Sequence, residues 1–443
     1  MKQHNWVRSR FNAISSTKEG ELLLYNSYTG AISAFPDVER EEVMASLKGH
    51  GIISTELTEL QQQMLEMGFI IPSDVDEERR AQFLFQAVNR TDVLHLSILT
   101  TEACNFRCVY CYGDFVKGKM PQDIIEGLKT YVQNQARTLR HLSISWFGGE
   151  PLAASDVIGE LSEAFIEVCA QWGIEYSAEI LTNGYFLKPK LFAKLDEWQI
   201  KRYMITLDGP EEIHNARRNL IGEGGSFQVI LNNLLEMKKT DKDFEVALRV
   251  NFDNDNLPYM DELIDIFAEH FAHDRRFQTY FRPVGRMGGK NDAHLPICDD
   301  NTKDKMIWEL TQSALDRGVA MSSIVENALM PLGSTCYCVK PNAFVVGSDG
   351  GLYKCSVAFD EPINQLGKVL PDGTFDLDYD KYAYWVTPGP ERDKACDACF
   401  FRPSCNGNHC KLYRMRNDER PCSFEKKEIK KVLETIYLDH TLA

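Results

Sequence analysis

From about residue 93 the chain falls into an alternation that leaves few architectures open. Six apolar runs rich in β-branched and aromatic residues read as strands: VLHLSILTT, LSISWFGG, YSAEILTNG, RYMITLDG, VALRVNFD and FQTYFRPV. Amphipathic stretches such as DIIEGLKTYVQNQA, IGELSEAFIEVCAQW and FQVILNNLLEMKK lie between them and read as helices. Repeated strand–helix units imply right-handed crossovers and a parallel sheet buried on both faces. A closed barrel takes eight such units, so six predict an α/β fold with an open, partial (β/α)6 barrel. Ligand sites of parallel sheets gather at the C-terminal strand ends, and the polar motifs treated below all sit there.

The flanks follow other rules. ELLLYNSYTGAISAF alternates around a turn-rich centre and predicts a hairpin. VEREEVMASLKG predicts a helix after Pro36, and STELTELQQQMLEMG a second, with Ser54 as its cap and Gly68 as its stop. FII then reads as a short strand closed by Pro72. Hairpin, short helices and wing give residues 1–90 a winged-helix-like layout, with SDVDEERR as the linker out of it. Beyond residue 335 cysteine, glycine and proline dominate and regular segments shorten, as in a domain held together by metal sites. A chain of 443 residues is expected to hold two or three domains. The boundaries are placed at 1–90, 91–310 and 311–443.

A net charge of −16 argues against a nucleic-acid-binding surface. No run of about 18 apolar residues occurs, so no membrane span is expected, and MKQHNWVRSRF lacks the apolar core of a signal peptide. The chain reads as cytoplasmic. Thirteen cysteines in a reducing compartment need a reason other than disulfides. Cys169 and Cys298 stand alone as ordinary buried thiols, while the other eleven fall into a triplet and a group of eight from Cys336 to Cys422. Clustered thiols of this kind bind metal or do redox work.

The triplet, in TTEACNFRCVYCYGDF, follows the first barrel strand with the spacing C-x3-C-x2-C. Structural zinc takes four protein ligands, so three thiolates mean either a distant fourth ligand or a site left open. A four-iron cluster on Cys104, Cys108 and Cys111 would keep one iron free. The spacing, with Tyr110 before the last cysteine, resembles that of the radical S-adenosylmethionine (SAM) enzymes, whose fold is a TIM-like partial barrel. FGGEP at the end of the second strand is similar to the family's methionine-binding turn. There Gly148 and Gly149 would admit the ligand to the backbone, and Glu150 would accept from its ammonium. The resemblance extends to LTNG (Thr182, Asn183) and to ITLDGPEEIHNARR. It implies that Thr206 and Asp208 line the SAM pocket, and that Arg218 or Arg249 grips the SAM carboxylate with paired hydrogen bonds. It implies cleavage of SAM by one electron to a 5′-deoxyadenosyl radical that takes hydrogen from a substrate.

The second cysteine group resembles the SPASM domain, an extension with two auxiliary clusters, which brings the expected [4Fe-4S] count to three. Cys336 leads to Gly350 and Cys355; Cys396, Cys399, Cys405, Cys410 and Cys422 follow. Four residues, NGNH, separate Cys405 from Cys410 where the family pattern has three. Resemblance assigns Cys396, Cys399, Cys405 and Cys422 to an outer cluster, and Cys336, Cys355 and Cys410 to an inner one. Cys338 is the candidate fourth inner ligand; without it an iron is open to a substrate thiolate. Zinc knuckles are the alternative.

SPASM enzymes act mostly on peptides and proteins, so the resemblance implies a peptide substrate. A radical SAM oxidoreductase that matures a ribosomally made precursor peptide explains the N-terminal module as the element that binds the leader. A cysteine thioether is the expected product, with carbon–carbon and carbon–oxygen crosslinks as variants. Family analogy supplies a flavodoxin- or ferredoxin-like electron donor. Sulfatase maturation to formylglycine is the alternative, against which stand the hundred or so residues before Cys104 and Ser356 in place of an Asp after Cys355. A non-catalytic peptide-binding protein is the reading from another class. No general base is identifiable.

Overall fold

The computed structural model describes residues 4–48, 51–54, 56–222, 224–387 and 393–441. Packing divides them into two compact units. One is built from 1–89, 323–339 and 388–443, the other from 90–322 and 340–387. The expected 311–443 segment therefore contributes to both.

In the first unit, β1 (His4–Arg8) pairs antiparallel with β5 (Ile52–Ser54) on one side and β6 (Ile70–Pro72) on the other. A separate sheet joins β2 (Asn12–Ser16), β3 (Leu22–Asn26) and β4 (Ile32–Phe35), so the expected hairpin is β3–β4. Leu22, Leu24, Phe35, Val43, Met64 and Phe69 close its core. The second helix is shorter than STELTELQQQMLEMG implies. Ser54 ends β5, and Thr58 caps Glu59–Glu66 instead, through a reciprocal box with Gln61. Helix 429–441 lies against β2 and β3. The hairpin also holds the cysteine-rich segment: Tyr25 donates to the Leu329 carbonyl and meets Ser404 Oγ at 2.8 Å, and Ser27 Oγ donates to the Phe400 carbonyl at 2.5 Å.

The second unit carries β7 (Val93–Thr101), β8 (Phe106–Cys108), β9 (His141–Gly148), β10 (Glu175–Thr182), β11 (Ile200–Thr206) and β12 (Arg218–Leu220). It continues with β13 (Glu245–Phe252), β14 (Phe277–Pro283), β15 (Ala320–Met321), β16 (Ala343–Val346), β17 (Gly351–Tyr353), β18 (Gly367–Val369) and β19 (Phe375–Leu377). One sheet runs β15-β14-β13-β11-β10-β9-β7-β16-β17-β18-β19. The six expected strands are its parallel centre, so the α/β partial barrel is the observed fold. Two short parallel strands, β15 and β16, flank them, and β17–β19 continue antiparallel.

The alternation of each strand explains the layering. Leu94, Leu96 and Ile98 of β7 are inaccessible, as are Leu142, Ile144 and Trp146 of β9, and register keeps these rows in phase. They form the row of full burial that a sheet covered by helices needs. The intervening rows are polar: His95 and Ser97 face Ser143 and Ser145. Helices 122–135, 155–172 and 227–238 fall where the sequence predicts them. Helices 189–197, 260–271 and 300–316 complete the alternation.

Candidate functional site

The triplet begins three residues after β7. Phe106–Cys108 is held as β8 by antiparallel pairing with β12, which sets Cys108 opposite Arg218. Val109 N–H donates to the Arg217 carbonyl at 2.9 Å, extending the ladder by one bond. Backbone donors already point at sulfur: Phe106 N–H at Cys104 Sγ (3.3 Å) and Gly113 N–H at Cys111 Sγ (3.4 Å). Burial pushes the Cys104 thiol up to about 11 and Cys108 to about 12, with the Arg218 charge working against both shifts. Such thiols stay protonated until a metal displaces the proton.

Among the described residues, no three His, Cys, Asp or Glu side chains converge on a single ion. The donors around the triplet suit an anionic group. Asn105 Nδ2 and Arg218 Nε are buried with no hydrogen-bond partner among the described residues, and each flanks the cysteine loop. Buried N–H groups without acceptors are costly, and a thiolate-bound cluster with a carboxylate ligand would supply acceptors. The residues present therefore fit the cluster and SAM.

Gly148, Gly149 and Glu150 close β9 against that loop. Gly148 has φ +131°, and a Cβ there would strike the Thr101 carbonyl; one at Gly149 would strike the carbonyls of Glu102 and Ala103. Only glycine allows this approach. Glu150 is fully buried and holds strand ends together. Its Oε1 accepts from Leu152 N–H (2.9 Å) and Thr182 Oγ1 (2.6 Å), its Oε2 from Asn183 N–H (2.7 Å). Burial raises its pKa against these bonds. Of four lone-pair positions, one remains for a ligand ammonium. Asn183 Nδ2 in turn donates to Asn105 Oδ1 at 2.8 Å, tying β10 to the cysteine loop.

A second network gathers at the ends of β11 and β13. Tyr110 donates to Asp208 Oδ2 and accepts from Arg218 Nη1 (2.8 Å) and Asn251 Nδ2 (3.1 Å). Asp208 Oδ1 takes the Asn251 N–H at 2.7 Å. Arg218 is thus partly committed within the protein, 3.9 Å from Asp208. Arg249, on the next strand, donates through Nε to Asn251 Oδ1 (2.8 Å) and through Nη1 to Met204 Sδ (3.6 Å). Thr206 sits beside Arg249 in the β11–β13 register. Below them Arg217 forms a buried two-bond pair with Asp253, 2.9 and 2.6 Å. Sequence reasoning missed Asn251, Asp253 and Tyr112. Tyr112 follows Cys111 directly, and its hydroxyl is in electrostatic reach of Cys111, Arg249 and Cys355.

The remaining cysteines lie in both units. Cys355 follows β17 in the barrel unit, where the buried Asn364 clamps it: Oδ1 accepts from Lys354 and Cys355 N–H, both at 2.9 Å, and Nδ2 donates to the Cys355 carbonyl at 2.8 Å. In the other unit, Cys396, Cys399 and Cys405 stand on or beside two short helical turns, 394–397 and 402–405, and Cys422 follows. Arg414 Nη2 approaches Cys396 Sγ at 3.7 Å. The four-residue NGNH turn is accommodated by two successive left-handed residues, Asn406 (φ +48°) and Gly407 (φ +73°). Its Asn408 carbonyl accepts from Cys336 N–H at 2.9 Å, and Cys410 lies in electrostatic reach of Cys336. Cys338 is buried in the turn 337–339. Cys169, on helix 155–172, and Cys298 are buried.

Comparison with known proteins agrees with this geometry. Residues 98–266 match the model of the Radical SAM superfamily. The chain is 24% identical over 287 residues to a cysteine-type anaerobic sulfatase-maturating enzyme of Clostridium perfringens, covering 59% of this chain and 74% of that one. The share of a curated relative's own length that the chain spans varies: it is 46% for an uncharacterized protein of Synechocystis and 84% for a GTP 3',8-cyclase of Microcystis aeruginosa. Among solved structures, native anSMEcpe with bound AdoMet and Cp18Cys peptide superposes with TM-score 0.59 at 19% identity, over 79% of this chain and 100% of that one. Streptococcus suis SuiB bound to precursor peptide SuiA superposes with TM-score 0.53 at 14% identity, over 94% of this chain and 98% of that one. The triplet and the glycine turn thus lie within the stretch that matches that superfamily model, on a TIM-like partial barrel.

Proposed function

We propose that this protein is a radical SAM maturase that abstracts hydrogen from a ribosomally made precursor peptide and installs a crosslink, in the first instance a cysteine thioether. The observation that carries the reading is an N-terminal module in the same chain as a radical SAM core. The SuiB complex, whose partner is a precursor peptide, is similar over 94% of this chain. The sulfatase-maturating structure leaves about a fifth of this chain unmatched, roughly the length of that module.

The module offers a strand edge to a leader peptide. Asn26 N–H donates to the Ala31 carbonyl, so the hydrogen-bonded pairs of the hairpin fall at Leu24–Ser33 and Leu22–Phe35. The N–H and C=O groups of Ile32 and Ala34 then point away from β3, and the Ala34 side chain is exposed. An extended leader would add to β4 through those groups.

In the barrel, Cys104, Cys108 and Cys111 would hold the SAM-binding [4Fe-4S] cluster. When bound, SAM and the reduced cluster supply a 5′-deoxyadenosyl radical that takes a hydrogen atom from the substrate. Gly148 and Gly149 leave backbone room for the methionine end of SAM, and Glu150 offers its one remaining lone pair to the ammonium. Thr182, Asn183, Thr206 and Asp208 line the approach, and Arg218 is the nearer guanidinium to the triplet for the SAM carboxylate. Tyr110 locks the loop to Asp208, so the three sulfurs keep their spacing while SAM exchanges. Cys396, Cys399, Cys405 and Cys422 would hold one auxiliary cluster and Cys336, Cys355 and Cys410, with or without Cys338, the other. A flavodoxin- or ferredoxin-like protein would deliver the electron in the cytoplasm.

Sulfatase maturation is the second reading, favoured by the Clostridium perfringens relative. The test is mass spectrometry of a precursor peptide encoded beside the gene, after anaerobic incubation with reconstituted protein, SAM and reductant. Loss of two hydrogens with one cysteine no longer alkylatable is the expected result. The same loss with all cysteines free moves the product to a carbon or oxygen crosslink. No mass change with 5′-deoxyadenosine formed refutes the peptide assignment and favours sulfatase substrates, and no 5′-deoxyadenosine favours a binding protein.

A further inference from the structure

The ladder between β11 and β13 ends with Leu207 N–H donating to the Arg249 carbonyl at 2.9 Å. The next amide, that of Asp208, donates instead to a side chain, His214 Nδ1, at 3.3 Å. His214 stands on the helix Glu211–Arg217 and is fully buried. Its bond completes the hold on Asp208. The Asp208 carbonyl accepts from Asn256 Nδ2 at 2.7 Å, Oδ1 from Asn251 N–H at 2.7 Å, and Oδ2 from the Tyr110 hydroxyl. Every polar group of this residue is thereby engaged.

The same helix reaches Tyr110 by a second route. It ends at Arg217, which pairs with Asp253. Arg218 follows, donating to the Tyr110 hydroxyl at 2.8 Å while lying opposite Cys108 in the β8–β12 register. A bond that fixes the helix against Asp208 therefore fixes two partners of the Tyr110 hydroxyl at once.

The ring carries a penalty in this place. Burial, with the Arg218 charge, holds its pKa well below the ordinary histidine value, so it is neutral. A neutral imidazole that accepts at Nδ1 carries its proton at Nε2. That N–H is buried with no hydrogen-bond partner among the described residues, and the Phe227 ring packs edge to face on the imidazole with centroids 5.6 Å apart. An apolar side chain of similar size would fill the space without an unsatisfied donor. What histidine adds here is the Nδ1 acceptor.

We propose that His214 is a positioning residue of the SAM site: through Nδ1 it fixes the Asp208 backbone, and with it the Tyr110 contacts that hold the loop between Cys108 and Cys111. Only the tautomer protonated at Nε2 serves. The role rests on the reading of the triplet as the SAM-binding cluster site, and names a residue that acts on it through others.

Asparagine and glutamine separate this role from mere filling, since the Asn carbonyl oxygen falls where Nδ1 stands and the Gln amide reaches only the Nε2 position. Reconstituted full-length His214→Asn and His214→Gln proteins are compared with the parent by hydrogen-exchange mass spectrometry and by anaerobic equilibrium dialysis of SAM. His214→Gln is expected to speed exchange over residues 205–211 and to weaken SAM binding, each by at least about fivefold, because it leaves the buried Asp208 N–H without its acceptor. Exchange in helices 155–172 and 260–271 is expected to stay as in the parent, and His214→Asn to stay within about twofold of it throughout. Equal losses in the two variants, or no loss in His214→Gln, would overturn the proposal. Failure of both to fold counts as equal loss, whereas a folded, SAM-binding His214→Asn beside an unfolded His214→Gln supports it. A parent that bound no SAM would refute the reading of the triplet, and exchange alone would then decide the role of His214.

Discussion

Replacing Asp253 by asparagine tests whether the triplet loop is held from below. Asp253 and Arg217 bury a pair with side-chain exposures of 0% and 8%, joined by bonds of 2.9 and 2.6 Å. The amide side chain would keep the shape and one acceptor but place an NH2 against a guanidinium and leave the Arg217 charge uncompensated. Breaking a buried pair by removing one partner costs about 3–5 kcal/mol, and the retained acceptor puts Asp253→Asn near about 3 kcal/mol. Val109 N–H donates to the Arg217 carbonyl, and the β8–β12 ladder continues from there. Its opening should become easier by a factor of roughly 100, at about 1.4 kcal/mol per tenfold. Hydrogen-exchange mass spectrometry on residues 105–111 and 217–221 reads that change directly. A loss of protection below about threefold, or one spread evenly over the barrel, would refute the reasoning. Arg217→Met with Asp253→Leu together should recover much of the loss, because apolar pairs of similar volume replace buried ion pairs at little cost.

Other perturbations have equally definite outcomes. Gly149→Ala forces a Cβ onto the carbonyls of Glu102 and Ala103; iron at the triplet and SAM binding should fall at least about tenfold with the far-UV circular dichroism unchanged. Tyr110→Phe removes the hydroxyl shared by Asp208, Arg218 and Asn251; a drop of about 1–3 kcal/mol in stability should accompany a changed electron paramagnetic resonance signal of the reduced, SAM-bound cluster. His95 gives a pH signature. Burial, with the charges of Lys340 and Lys354, lowers its pKa from 6.5 to about 4. The unfolded chain then binds more protons between those values, so stability is full above pH 6.5 and declines as pH falls towards 4. The decline is at most about 3 kcal/mol. His95→Asn should flatten that part of the thermal-denaturation pH profile.

What could be read from the sequence tracks how local the determining interactions are. The six central strands were legible because each carries its own row of apolar residues, fully buried against helices. The tight backbone approach at Gly148 and Gly149 was legible because it depends on adjacent residues. The cap at Thr58 was not: Ser54 offers the same hydroxyl, and only β5 pairing with β1 removes it from competition. β16 was missed for a related reason. Its four residues sit among glycines and prolines and become a strand by pairing with β7, some 250 positions earlier. Asp253 and Asn251 gain their roles only from partners distant in sequence, Arg217 and Tyr110, which no single segment displays.

Helix 429–441 lies against β2 and β3, about four hundred residues upstream, and so sets an order of assembly. A chain made at about 5–20 residues per second leaves the ribosome from its N-terminus, and domains fold as they emerge. The hairpin of the first unit is made early yet must wait for the helix that covers it, while the six central barrel strands are complete by residue 283. The cysteines from Cys396 to Cys422 emerge in the same late window. Any iron taken by those cysteines would arrive as the N-terminal module closes, and a chain cut short before residue 429 would leave the side of β2 and β3 that this helix covers exposed, however well its barrel had formed.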